Sequence, residues 1–256
     1  MSTHMQEEIG GPEFDNAVAT LSTTLTSHTP FPLTPSHILI AWSGVLTLAL
    51  HPLPPAALSL KADVEAALQS SPYPASRESP GSKWPKVTLA ALASDDPLTG
   101  EEMAVLESLA ETHKETLGAL GGDVSALSIV NFGPRSLDRG SCTIHTESLS
   151  SSTTPPGVGE ERVEEHRAFV QSVWDEAEGG EAYLPLVQKG GNRGAHYTDP
   201  VEGGVTLVAY LADTDWGQDV QDAVAAFRQQ VESALPGRYV WLPPDAYHVT
   251  LRGIAG

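Results

Sequence analysis

The sequence predicts an α+β fold of two pseudo-symmetric lobes sharing a central groove, each lobe an antiparallel or mixed sheet with helices on the outside. Three observations predict it. In each half, runs with the two-residue period of a strand flank single runs with the 3.6-residue period of a helix, an order that favours an α+β sandwich over a doubly wound parallel sheet. The stretch from Ser148 to Gly159, a Ser/Thr run followed by Pro155-Pro156-Gly157, reads as a linker between halves. A length of 256 residues suffices to bury a full core, as one large domain or two similar lobes.

Taken in order, residues 1–14 form a polar leader or tag remnant outside the fold. Val18, Leu21 and Leu25 predict a helix over Asp15–His28, stopped by Pro30-Phe31-Pro32. Two strands follow, His37–Trp42 and Val45–Leu50, then a helix from Pro55 to Leu68 opened by a Pro54-Pro55 pair, and a Ser/Pro-rich loop over Ser70–Ser82. Pro85–Leu92 is a strand. Thr99 with Glu101-Glu102 opens a helix whose buried face carries Met103, Leu106, Ala110 and Leu117. Strands Ala126–Phe132 and Ser141–Glu147 then close the first lobe, 15–147, across the turn-rich Gly133–Gly140. In the second lobe, 160–256, Val163, Val170, Val173, Trp174 and Ala177 mark a helix and residues 182–200 read as irregular. Strand Val205–Leu211, helix Val220–Leu235, and strands Tyr239–Leu242 and Tyr247–Arg252 complete it.

The formal net charge is −19. Such a chain repels polyanions at long range, which argues against binding long duplex nucleic acid but permits a short phosphate ligand gripped by a local basic cluster. Cys142 is the single cysteine, so there is neither an internal disulfide nor a four-cysteine zinc site, and a cytoplasmic location is expected. The longest apolar run, Ile38–Leu50, is too short and too punctuated to span a bilayer, so no membrane partner is expected. Gly190-Gly191-Asn192-Arg193-Gly194 lacks the Lys-Ser/Thr ending of a phosphate loop, and the histidines and acids show no zinc-ligand spacing. No cofactor or metal is expected.

The chemistry concentrates in Arg238-Tyr-Val-Trp-Leu-Pro-Pro-Asp-Ala-Tyr-His-Val-Thr-Leu-Arg252. Along a strand His248, Thr250 and Arg252 share one face while Val249 and Leu251 take the other, giving a row of donors spaced ~7 Å apart and suited to a phosphate. A bare His-x-Thr triplet most often marks an ordinary edge strand. Here the Trp-x-Pro-Pro-x-x-x-His-x-Thr-Leu arrangement, following a strand and an amphipathic helix, resembles the first active-site segment of the 2H phosphoesterase superfamily. Trp84-Pro-Lys-Val-Thr-Leu-Ala-Ala-Leu92 and the hairpin about residues 126–147 resemble that family's second lobe.

The resemblance implies a metal-independent hydrolysis of 2′,3′-cyclic phosphates or related RNA ends, with one histidine as base and another as acid. Two features depart from it. The motif order is reversed, which a circular permutation accounts for, with a truncated or rearranged chain as the competing explanation. Lys86, in Lys86-Val87-Thr88, stands where the family has its other histidine. His248 is therefore the expected acid/base, Thr250 and Thr88 the phosphate donors, and Lys86 the stabiliser of developing negative charge. Arg252, Tyr247 and His145 are candidate substrate contacts, and His196 opens a third triplet, His196-Tyr197-Thr198. The rival readings are a non-catalytic phosphate or RNA-end binding module, and a different reaction on a small anionic metabolite.

Overall fold

A computed structural model describes residues 12–69, 84–152 and 157–255; the expected loop Ser70–Ser82 and most of the expected leader lie outside them. The described residues form seven α-helices and three antiparallel sheets. In chain order these are α1 (Pro12–Thr26), β1 (Phe31–Leu33), β2 (Pro35–Ile40), β3 (Leu46–Leu50), α2 (Pro55–Gln69), β4 (Lys86–Leu92), α3 (Gly100–Gly118), β5 (Gly122–Val124), β6 (Ala126–Pro134), β7 (Cys142–Ser148), α4 (Glu160–Ala177), α5 (Leu184–Val187), α6 (Gly194–Thr198), β8 (Pro200–Tyr210), α7 (Gly217–Ala234), β9 (Tyr239–Trp241) and β10 (His248–Ala255). None of the helices is long and apolar enough to cross a membrane.

Local signals explain most of these elements. Thr99 caps α3 in a reciprocal capping box: its hydroxyl accepts from the Glu102 amide at 3.1 Å, and the Glu102 carboxylate accepts from the Thr99 amide at 2.8 Å. The stripe Val220, Val224, Phe227 and Val231 buries α7 against the core. Five elements depart from expectation. Helix α1 begins at Pro12, inside the stretch read as a leader, because proline fits the first turn of a helix. Strands β1 and β5 have no local signal. They are three residues each and exist through their pairing, Phe31 opposite Val124, both fully buried. The stretch read as irregular holds the short helices α5 and α6.

One four-stranded sheet runs β2-β3-β4-β9 and the other β10-β8-β6-β7. Both draw strands from either side of residues 148–159, so the division expected there does not separate the sheets. The two sheets nevertheless repeat one unit. Strand β3, helix α2 and strand β4 form a strand–helix–strand unit whose strands pair antiparallel, and β8, α7 and β10 form another. Within these units Thr88 lies opposite Thr47 and Thr250 opposite Val208, and in both the register slips at the leucine immediately after the threonine. A bulge thus follows the threonine in each strand.

The large core lies on one side of both sheets, where Leu46, Leu48, Val87 and Leu89 meet Leu207, Ala209, Val249 and Leu251 with α2, α3 and α7. The opposite faces carry two smaller clusters: Leu39, Ala49, Trp84 and Val170 on the first sheet, and Val130, Leu137, Val208 and Tyr210 on the second. Strand β9 links the sheets. It leaves α7, pairs with β4 at Ala90–Leu92, and continues with the Leu242 amide bonded to the Leu89 carbonyl at 2.9 Å. A single 3-10 turn, Pro244–Ala246, then returns the chain to the other sheet as β10.

At the start of α7 a Cβ on Gly217 would lie 1.8 Å from the Leu211 carbonyl oxygen. That neighbour is backbone and cannot swing away. Gly217→Ala is therefore expected to destabilise the fold by about 3 kcal/mol or more, the upper range of core overpacking, read as a lowered midpoint in urea with an unchanged slope.

Candidate functional site

Strands β4 and β10 come from different sheets, yet they pack against each other. Because side chains alternate, the residues that face away from the large core are Lys86 and Thr88 on β4 and His248 and Thr250 on β10. All four are partly exposed, while Val87, Leu89, Val249 and Leu251 between them are buried. The cross-strand partners extend this face: Ala49 beside Lys86 and Thr47 beside Thr88 on the first sheet, Tyr210 beside His248 and Val208 beside Thr250 on the second. Ser128, opposite Val208 on the other side, bonds the Thr146 hydroxyl at 2.8 Å and continues the row.

His248 is held in one tautomer. Its Nδ1–H donates to the Ala246 carbonyl at 2.7 Å, which leaves Nε2 with its lone pair for a ligand. Burial lowers its pKa to about 4, the Ala246 bond opposes that shift, and the positive charge of Lys86 adds to it. The ring is neutral at pH 7. Lys86 in turn is lowered to about 8, first by burial and then by the charge of Lys61. Its Nζ lies 4.4 Å from the centre of the Trp84 ring. The coupling between the two runs one way, since His248 carries no charge where Lys86 titrates. The face thus offers an unprotonated imidazole nitrogen, a cation able to release a proton near pH 8, and two hydroxyls.

The other expected contacts lie elsewhere. The bulge after Thr250 sets Arg252 opposite Leu207 rather than a residue of the Val208 face, so it leaves the row. It is 2% exposed and bonds Glu65 of α2 through Nε and Nη2, each at 2.8 Å. Tyr247 turns into the large core, and burial raises its hydroxyl to about 12. His145 is opposite Ile129, which belongs to the core face of the sheet, so it points away from His248. Its Nε2 meets both the Glu147 carboxylate at 2.8 Å and the Ser22 hydroxyl at 3.1 Å, tying β7 to α1; sharing one nitrogen, the three form no nucleophile–base relay. His196 sits on helix α6, where the alternation that gives a strand triplet its meaning is absent.

Sequence reading missed Tyr210 and Arg139. The Tyr210 ring meets His248 edge-on at 5.9 Å and donates its hydroxyl to the Leu137 carbonyl at 2.9 Å. Arg139, paired with Asp213, lies over the other ring of that contact, 4.3 Å from the Tyr210 centre. The period of β8 carries the signal for Tyr210, as the residue in register with His248; Arg139 reaches it through a tertiary loop and has no local signal.

No protein-family model matches the chain, and no curated protein and no solved structure matches it. Among the described residues no group of three or more His, Cys, Asp and Glu side chains is placed to hold a metal ion. The geometry of the groove therefore stands on its own.

Burying an ammonium costs stability that a methionine of similar length would recover. Lys86→Met is expected to raise the thermal midpoint at pH 7. A lowered lysine pKa means the unfolded chain holds more protons between about pH 8 and 10.5, so the native protein itself gains stability as pH rises through that window. The advantage of the variant should shrink there, and melting curves at pH 7 and 10 measure both effects. A variant less stable than the parent at pH 7 would contradict this account.

Proposed function

We propose that the protein is a 2H-type, cytoplasmic phosphoesterase that hydrolyses a cyclic phosphate on a small nucleotide or RNA terminus without a metal. One observation carries the reading: two Val-Thr-Leu strands, each bulged after its threonine, bring Lys86 and Thr88 against His248 and Thr250 on one open face. The repeated unit matches the two-lobed arrangement implied by the resemblance, and the free Cys142 is compatible with a reducing compartment.

In this mechanism the Thr88 and Thr250 hydroxyls donate to the non-bridging phosphate oxygens. Nε2 of His248 takes the proton of the attacking water, Lys86 gives its proton to the departing ribose oxygen, and a phosphomonoester remains. Lysine can serve as that acid because burial brings its pKa to about 8, near the operating pH. The lone pair of His248 is available at neutral pH for the same reason, since burial disfavours the cation of each group.

The rate constant kcat/KM against pH is expected to rise with a limb near pH 4, as His248 loses its proton, and to fall with a limb near pH 8, as Lys86 loses its own. His248→Ala should lower kcat by about 10²–10⁴-fold. Lys86→Arg should remove the alkaline limb and most of the rate, because a guanidinium does not release a proton in this range. The screen pairs cyclic nucleotides and cyclic-phosphate-ended RNA with a chelator in the buffer. Wild-type turnover by His248→Ala would sink the assignment.

A second reading, a phosphate or RNA-end binding module, is favoured by the contact of Lys86 with Trp84, since a ring face 4.4 Å away stabilises the charged amine. Saturable binding of the same ligands with no turnover, retained by Lys86→Arg and weakened by Lys86→Ala, identifies that case.

A further inference from the structure

A concave feature lies away from the face that β4 and β10 share. Strand β2 ends its sheet, and among the described residues it pairs only with β3. Four consecutive residues of that open edge, His37 to Ile40, form the floor of a cavity of about 290 Å³. One wall is α3, contributing Met103, Ala110 and the side chains of Glu107, Glu111 and Lys114. The other is the C-terminal end of α4 with the turn after it, contributing Ala177, Glu178 and Gly180. The feature is a slot along a strand edge, walled by two helices.

We infer that this slot binds an extended, cationic peptide segment of a partner protein as an added strand on β2. A strand edge presents a row of unpaired amides and carbonyls, the groups that strand addition satisfies. Four floor residues span ~13 Å, enough for a segment of about four or five residues. The apolar part of the wall, Met103 and Ala110, suits the small hydrophobic side chains that alternate along such a segment. Charge selects the others. Three carboxylates face the slot, and a single cation, Lys114, opposes them, itself 3.4 Å from Glu111. The C-terminus of α4 adds the partial negative charge of a helix end, with no basic residue in its last turn to offset it. His37 does not counter this field. Its Nδ1 bonds the Ser36 hydroxyl at 2.9 Å, its ring packs edge-on against Trp174, and burial and Lys114 keep it below the usual histidine range and so neutral at pH 7.

The inference does not rest on the phosphoesterase reading. The test uses the full chain and a fluorescent, acetylated Lys-Val-Lys-Val-Lys pentapeptide, with two control peptides: one with proline replacing both valines, and one with glutamate replacing the lysines. Saturable anisotropy with the first peptide is expected, about ten-fold weaker for either control and for the double variant Glu107→Lys/Glu111→Lys, with an affinity that falls as salt rises. Hydrogen exchange should show the Ile38–Ile40 amides slowing when the first peptide is bound. Binding that is equal for the proline peptide overturns strand addition, since proline cannot donate to the ladder. No binding of any peptide overturns the site, and so does a concentration-dependent dimer that protects the same amides and that the peptide fails to dissociate, because the occupant is then a second copy of this chain.

Discussion

The crossing of strand β9 is the constraint on which the rest of the molecule depends. Three residues after α7 pair with β4, and the backbone bond from Leu242 to Leu89 extends that pairing to the last residue before the Pro243-Pro244 turn. Because the turn is short, the chain re-enters the second sheet with His248 already beside the strand that carries Lys86 and Thr88. Side-chain bonds anchor the crossing. The Tyr239 hydroxyl bonds the Gly44 carbonyl at 3.1 Å, the Trp241 indole bonds Glu232 at 2.7 Å, and Arg238, just upstream, pairs with the capping residue Glu102 at 3.0 Å. Two of these contacts, Tyr239 to Gly44 and Arg238 to Glu102, join elements far apart in the chain, so the site is a product of the whole fold and not of either half.

The groove stores electrostatic cost. An imidazole kept neutral and an ammonium kept partly buried are each less stable than they would be in water. The two shifts differ in consequence: Lys86 is moved toward neutrality, where it can release a proton, whereas His248 is moved below it, so its ring stays unprotonated but is a weaker base. Two nearby cations are held in ion pairs, Arg252 by Glu65 and Arg139 by Asp213, and the charge of Lys61 adds to the lowering of Lys86.

Helix α4 explains part of what residues 160–200 do. Val170 and Trp174 pack on the same face of the first sheet that bears Lys86, with Trp174 edge-on to His37 and His51. The His166 ring accepts from the Leu53 amide at 3.0 Å, and Glu176 accepts from the Trp42 indole at 2.9 Å. The helix thereby roofs the β2 side of this face and leaves the β4 side open, which separates the groove from the slot along the β2 edge.

Periodicity alone determined the α+β class, the long helices and the face that His248 and Thr250 share, because a strand's alternation and a helix's stripe are properties of a few consecutive residues. The same reasoning placed Lys86 and Thr88 together, since they too are two apart on one strand. It went astray at Arg252, because a bulge costs one residue of register and is set by the partner strand; the sequence of β10 alone does not show that Arg252 turns to Glu65. His145 and Tyr247 turn elsewhere for a related reason: which side of a strand, or of the turn before it, meets the core is decided by what packs there. Strands β1 and β5 exist only as partners, and Arg139 reaches Tyr210 from a loop. What tertiary structure decided was every relation between segments distant in the chain: the strand exchange, the pairing of Lys86 with His248, and the burial that moves both their pKa values, since desolvation depends on neighbours that no local pattern encodes.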